Sequence, residues 1–196
     1  MFSQINGAGL FGLNAFMVTV QASSSPGQPT FDIVGMPDIA VQESKARIRA
    51  VLGQLEMKLL NGRITINLAP ASVKKIGSMF DLPMIVSLMK LGGVISADLK
   101  DSVFIGELSL DGGLASVNGA LSMVLTAAKS GMKRVFLPKA NAKEASVADG
   151  IEVYGAEHVT QIIEFLKHGT GLSPEEKYIP KRRAAGHLPD FADVMG

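Results

Sequence analysis

The sequence predicts a mixed α/β (α+β) domain, and three observations predict it. Segments with an apolar period of two, the mark of half-buried strands, cluster in the first third of the chain. Beyond Leu82, helix-period and strand-period segments alternate, which fits helices layered on a sheet. The 196 residues are 47% hydrophobic and 19% charged, enough for one substantial core.

Taken in order, Asn14 to Gln21 alternates Ala15, Met17 and Thr19 with Phe16, Val18 and Val20 and reads as a strand. The turn-rich Ser23-Ser24-Ser25-Pro26-Gly27 separates it from a second strand, Thr30 to Val34. A helix is expected from Pro37, with Val41, Ile48, Val51, Leu52 and Leu55 on one side and Glu43 spaced to pair with Arg47. Ile64, Ile66 and Leu68 alternate with Thr65 and Asn67 as a third strand, which Pro70 ends by lacking an N–H donor. Gly77 supplies a permissive backbone for the following turn. Asp81 is then placed to cap a helix whose first turn holds Pro83 and whose apolar face is Leu82, Ile85, Val86 and Met89. Val103 to Leu110 and Leu114 to Val117 flank Asp111-Gly112-Gly113, a hairpin signal because Asp and Gly accept positive φ. Helix and strand then alternate as Ala120–Ser130, Arg134–Leu137, Asn141–Ala148, Ile151–Tyr154 and Glu157–Lys167. Past Lys167 the periodicity stops at His168-Gly169-Thr170-Gly171 and Ser173-Pro174, so a domain over 1–168 and a linker over 169–196 are expected.

Composition narrows the function classes. A net charge of +1 gives no global pull toward nucleic acid or membrane, so any such binding needs a local patch. The absence of cysteine excludes disulfides and zinc–thiolate sites and is compatible with a reducing cytoplasm, the expected location. Met1-Phe2-Ser3-Gln4 opens without a basic region before an apolar run, so no signal peptide is expected. The richest apolar stretch, Leu82 to Ile95, is cut by Ser87, Lys90 and Gly92-Gly93 and is too short to span a bilayer. Gly7-Ala8-Gly9-Leu10-Phe11-Gly12 matches the dinucleotide fingerprint in letters, but a strand and not a helix follows, so the match reads as accidental. His158, His168 and His187 lack ligand spacing and read as surface residues, and no metal site is expected. Glu107, Asp111, Asp98 and Asp101 read as solvated turn acids.

Four blocks carry a resemblance. They are FDIVGMPDIAVQESKARIRA over Phe31–Ala50; INLAPASVKK over Ile66–Lys75, running on through Ile76-Gly77-Ser78-Met79-Phe80-Asp81-Leu82-Pro83; GELSLDGGL over Gly106–Leu114; and VFLPKANAKEA over Val135–Ala145. In this order they resemble the N-terminal domain of the magnesium-chelatase-like AAA+ ATPases, the ComM/YifB family. Its loop reads roughly lysine-lysine-x-glycine-proline-serine-phenylalanine-aspartate-leucine-proline. The resemblance implies a ribosomal-protein-S5 domain-2-like fold, similar to the proteolytic domain of Lon and the C-terminal domain of RadA.

The resemblance also implies where a Lon-type Ser/Lys dyad would stand. Alignment on Gly77 puts Met79 at the nucleophile, and alignment on Gly106-Glu107 puts Leu121 at the lysine base. A thioether has no proton to lose and an alkyl chain accepts none, so no catalytic residue is assigned. Ser78, one residue away, is the basis of an alternative reading as a shifted or degenerate peptidase. Replacement of the family's proline and serine by Ser78 and Met79 leaves the conformation of Ser72–Phe80 open.

No G-x-x-x-x-G-K-[ST] loop occurs, so ATP and Mg²⁺ are expected only in an ATPase module beyond these residues. Leu188 to Gly196 resembles the phrase preceding that module. For the parent protein the resemblance implies a homo-oligomeric, hexameric, ATP-driven motor for DNA branch migration in recombination and natural transformation, and no membrane partner. The basic residues Lys45 and Arg49, one helical turn apart, and Lys74 and Lys75 in the loop are the candidate DNA-backbone contacts, with Lys181-Arg182-Arg183 a further basic run. Few aromatics and no tryptophan argue against base stacking, so binding would be electrostatic and sequence-tolerant. A stand-alone interaction module without a DNA role is the other alternative.

Overall fold

A computed structural model describes residues 1–12, 14–57 and 62–179. In chain order the elements are β1 (Phe2–Phe11), β2 (Asn14–Ser25), β3 (Thr30–Val34), α1 (Ile39–Gln54), β4 (Arg63–Ala69), α2 (Asp81–Leu91), β5 (Ser102–Phe104) and β6 (Glu107–Leu108). There follow β7 (Leu114–Ala115), α3 (Ala120–Lys129), β8 (Arg134–Pro138), α4 (Lys139–Ala145), β9 (Glu152–Ala156) and α5 (Val159–His168). Seven strands form one sheet in the order β3-β4-β2-β1-β5-β8-β9, and β6 pairs with β7 in a separate hairpin. Only β2 runs against its neighbours; the pairs β3–β4, β1–β5, β5–β8 and β8–β9 are parallel. The mixed α/β class expected from the sequence is therefore observed.

Helices cover both faces, and a sheet buried on both faces carries apolar residues at successive positions. Val103, Ile105, Val135, Leu137 and Val153 pack with α3 and α4 on one face. Phe104, Phe136 and Tyr154 point the other way, into the layer that also holds α1, α2 and α5. Those three rings stack across neighbouring strands, with centroids 4.9 Å apart for Phe104–Phe136 and 5.1 Å for Phe136–Tyr154. Phe165 of α5 closes the stack at 4.9 Å from Tyr154.

Several expectations change. Strand β1 has no counterpart in the sequence reading, because Asn6, Gly7, Ala8 and Gly9 dilute its apolar alternation. Its glycines serve packing: a Cβ on Gly9 would lie 2.8 Å from Phe80 Cζ, and one on Gly7 would lie 3.2 Å from Pro83 Cγ. The fingerprint-like letters thus let the start of α2 lie close on the sheet. Helix α1 starts at Ile39, two residues later than expected, because the Asp38 carboxylate caps it by accepting from Val41 N–H at 2.8 Å. The stretch expected as one strand over Val103–Leu110 breaks at Gly106, whose N–H donates to Met79 O at 2.9 Å and whose C=O accepts from Leu82 N–H at 3.0 Å.

Candidate functional site

All six parallel strands of the sheet end on the same edge, and in open α/β sheets the carboxyl edge is where loops assemble ligand and reaction sites. The loop after β3, the loop from Pro70 to Phe80 after β4 and the segment from Ile105 to Leu108 after β5 are tied together there. Lys75 N–H donates to Met36 O at 3.0 Å and Asp38 N–H to Lys75 O at 2.9 Å, a short parallel bridge between the two loops. The second carboxylate oxygen of Asp38 accepts from Gly77 N–H at 3.1 Å. Gly77 has φ +88°, a conformation that disfavours side chains with a Cβ.

Beneath this loop lies a buried ionic cluster. Asp81 has no exposed area and sits in the first turn of α2, where its carboxylate accepts from Ser44 Oγ, from Arg47 Nε at 2.6 Å and Nη2 at 3.1 Å, and from Leu108 N–H at 3.1 Å. It does not cap α2, as the sequence pattern implied; Phe80 holds the cap position without a side-chain bond. Arg47 likewise pairs with Asp81 and not with Glu43. Burial pushes the Asp81 carboxyl up from its ordinary range, opposed by its four donors, while the bond to Asp81 raises Arg47 and keeps the guanidinium charged. One side chain thereby joins α1, α2 and β6.

Met79 is half-buried and packs against the apolar clusters of both faces. Leu121 is half-buried in the first turn of α3. Ser78 is half-buried, and its hydroxyl donates to the Glu107 carboxylate. Glu107 is thus not a solvated turn acid; the glycine-glutamate pair marked its position in the sequence, but nothing there identified Ser78 as its partner. Asp111 does lie in an exposed turn, where its carboxylate accepts from Gly113 N–H at 3.1 Å, the bond that most lowers its pKa. His158 is a structural residue. Its Nδ1 accepts from Thr160 N–H at 3.2 Å to cap α5, and its Nε2 lies 2.7 Å from Asp111 O, bracing the β6–β7 hairpin.

The four candidate DNA contacts divide. Lys74 is exposed at the rim of a groove of about 500 Å³ lined by Phe11, Phe16, Met36 and Val73. Lys45 is half-buried and Arg49 exposed on α1, the latter with its guanidinium 5.7 Å from the centroid of the Phe31 ring. Lys75, expected beside Lys74 on the surface, has no exposed area; its ammonium donates to Pro70 O, and burial pulls its pKa down. Lys181-Arg182-Arg183, His187 and Leu188–Gly196 lie outside the described residues.

The sequence profile of the family described as "Subunit ChlI of Mg-chelatase" matches residues 20–141. The chain is 34% identical over 190 residues to the competence protein ComM of Haemophilus influenzae, covering 94% of this chain and 37% of that protein. It belongs to the magnesium-chelatase-like ComM/YifB family. The uncharacterized protein YifB of Escherichia coli is 33% identical over 186 residues, covering 94% of this chain and 36% of that protein. This member therefore spans little more than a third of those relatives. A Lon protease of Mycolicibacterium smegmatis is 26% identical over 170 residues, covering 80% of this chain and 21% of the protease. That similarity fits the Lon-like fold expected of the family's N-terminal domain. Among the described residues no helix is long and apolar enough to cross a membrane.

Proposed function

We propose that this chain is the non-catalytic, Lon-like N-terminal domain of a ComM/YifB-type AAA+ ATPase, serving ring assembly and DNA engagement in an ATP-driven branch-migration motor of the cytoplasm. The observation that carries the non-catalytic reading is the loop itself: Met79 packs into apolar surroundings on both faces of the sheet, and the neighbouring Ser78 hydroxyl is given to a carboxylate. ATP and Mg²⁺ belong to the module that the longer relatives leave room for. The magnesium-chelatase name of the family is read here as relatedness of its ATPase module, and a chelatase role is not part of the proposal. DNA engagement falls to Lys74, Lys45 and Arg49, whose side chains reach solvent; Lys75 is withdrawn from that role by burial.

The test is a salt titration of binding to single-stranded and branched DNA, with this chain and with the longer protein that carries it. Each lysine that contacts phosphate contributes about −0.7 to −0.9 to the slope of log K against log salt. Lys45→Glu with Lys74→Glu should flatten the slope by more than one unit in total, counting about 0.7–0.9 per lysine. No binding at low salt by the assembled protein sinks the DNA role and leaves an interaction module.

The Ser78–Glu107 hydrogen bond, together with the likeness to Lon, favours a second reading as a shifted peptidase. A carboxylate is a weak base for a hydroxyl, which argues against it. Peptide cleavage lost on Ser78→Ala would establish it.

A further inference from the structure

We infer that residues Leu172–Tyr178 form a releasable electrostatic strap, docked along the flank made by α4 and β9, that fixes the direction in which the chain leaves the domain. Strand β9 ends the sheet order, so one side of its backbone faces outward and is open to pairing. The chain's own continuation takes that place. Glu175 N–H donates to Val153 O at 2.7 Å, and Tyr178 N–H donates to the Oγ of Ser146, the residue that ends α4, at 3.1 Å.

Side chains of α4 and of the turn after it hold the rest. Lys139 pairs with Glu175, and Lys143, one helical turn on, sets its ammonium 4.8 Å from the centroid of the Tyr178 ring. Lys177 pairs with Asp149. Basic helix residues at four-residue spacing thus address the acid Glu175 and the aromatic Tyr178 of the segment, a complementarity that a linker chosen only for solubility does not need.

The same contacts make the strap releasable. The Lys177 and Asp149 side chains are 55% and 85% exposed, and Lys139 is 52% exposed against 22% for Glu175, so salt can screen both pairs, the Lys177–Asp149 pair the more strongly. Its apolar anchors are Leu172, which packs on the core, and Tyr178, which remains 40% exposed. A segment with so little buried apolar area opens independently of the sheet beneath it. Docked, it sets one exit direction from the domain. Released, its residues become a tether of roughly 24 Å at about 3.4 Å per residue.

Hydrogen exchange on the whole chain tests this, with the Phe136 amide of β8 as internal reference. At about 20 mM salt, where screening reaches some 20 Å, the Glu175 and Tyr178 amides should exchange at least roughly tenfold more slowly than an unstructured peptide. At about 1 M salt, where the Debye length is near 3 Å, that protection should be lost while Phe136 keeps its own. Glu175→Lys should lose the protection at low salt, and Lys139→Glu combined with Glu175→Lys should restore it. Protection that survives both high salt and Glu175→Lys would make the segment a fixed part of the fold and overturn the inference. So would its absence in the unaltered chain at low salt.

Discussion

Replacing Arg47 by methionine is the most informative single perturbation of this fold. The substitution keeps most of the aliphatic volume of α1 but leaves Asp81, which has no exposed area, with only Ser44 Oγ and Leu108 N–H as donors. Removing one partner of a buried ion pair costs about 3–5 kcal/mol, because the remaining charge is uncompensated. Arg47 is 17% exposed, so water can reach part of the vacated space and the low end, about 3 kcal/mol at pH 7, is the working figure. For a chain of this size that corresponds to a fall in Tm of about 6–12 °C.

The loss should depend on pH in a definite direction. Burial already raises Asp81 above its ordinary value, and the cation opposes that rise. A carboxyl with a raised folded pKa contributes stability fully below its unfolded pKa and loses it as pH climbs through the folded pKa. Without Arg47 the folded pKa climbs further, so the window of loss widens upward. The variant should therefore lie close to the unaltered chain near pH 4 and diverge toward pH 7, by at most about 1.4 kcal/mol per pH unit. Urea unfolding at a series of pH values measures it. Arg47→Met combined with Asp81→Leu should recover much of the loss, since apolar groups of similar volume can replace a buried pair. A cost below about 1 kcal/mol that is flat between pH 4 and 7 would refute the reasoning, because it would mean that Asp81 is not held as a buried carboxylate by Arg47.

Other residues give sharp expectations. Lys75→Met should remove a pH-dependent term: a lysine with a lowered folded pKa contributes stability fully above its unfolded value and loses it as pH falls through the folded pKa, so unfolding curves of the unaltered chain should strengthen toward pH 10.5 and those of the variant should not. Gly9→Ala places its Cβ 2.8 Å from Phe80 Cζ and 3.0 Å from Phe16 Cζ and should cost about 1–3 kcal/mol by overpacking, read from the urea midpoint. Gly12→Ala meets no atom within 4 Å, so only its φ of +60° should matter and the cost should stay near 1 kcal/mol. Phe136→Ala, at the centre of the aromatic stack, should cost about 3–5 kcal/mol by the same measurement.

What the sequence made legible follows from the range of the interactions involved. The periodicities of β2, β4, α2 and α5 are local, and those elements lie where the pattern put them, within a few residues at their ends. Strand β1 escaped because its Gly7, Ala8 and Gly9 are chosen by the approach of Phe80 and Pro83, far along the chain. Arg47 has an acid four residues before it, yet its partner is 34 residues away. Lys74 and Lys75 look alike as letters, and only the pairing of their loop with Met36 and Asp38 turns one outward and the other inward. His158 carried no ligand spacing because its ring serves a cap and a hairpin, neither of which leaves a spacing motif.

The loop around Met79 keeps its course without help from the side chain at that position. Its course is fixed by groups on either side of residue 79: Asp38 holds Gly77, Asp81 holds Arg47, Ser44 and Leu108, and Gly106 holds the backbone of Met79 and Leu82. None of these bonds uses the side chain at position 79. That side chain is free to be chosen by packing, and a flexible thioether fills an irregular space between two apolar layers well. Restoring a hydroxyl by Met79→Ser would then leave the loop's course unchanged and remove apolar contacts on both faces. On the non-catalytic reading proposed above, it would create no peptidase, since Leu121, aligned with the base of a Ser/Lys dyad, cannot accept a proton. Stability should fall by about 2–3 kcal/mol with peptide cleavage remaining at background, whereas cleavage appearing in that variant would show that Glu107 or another group near Ser78 can activate a serine here.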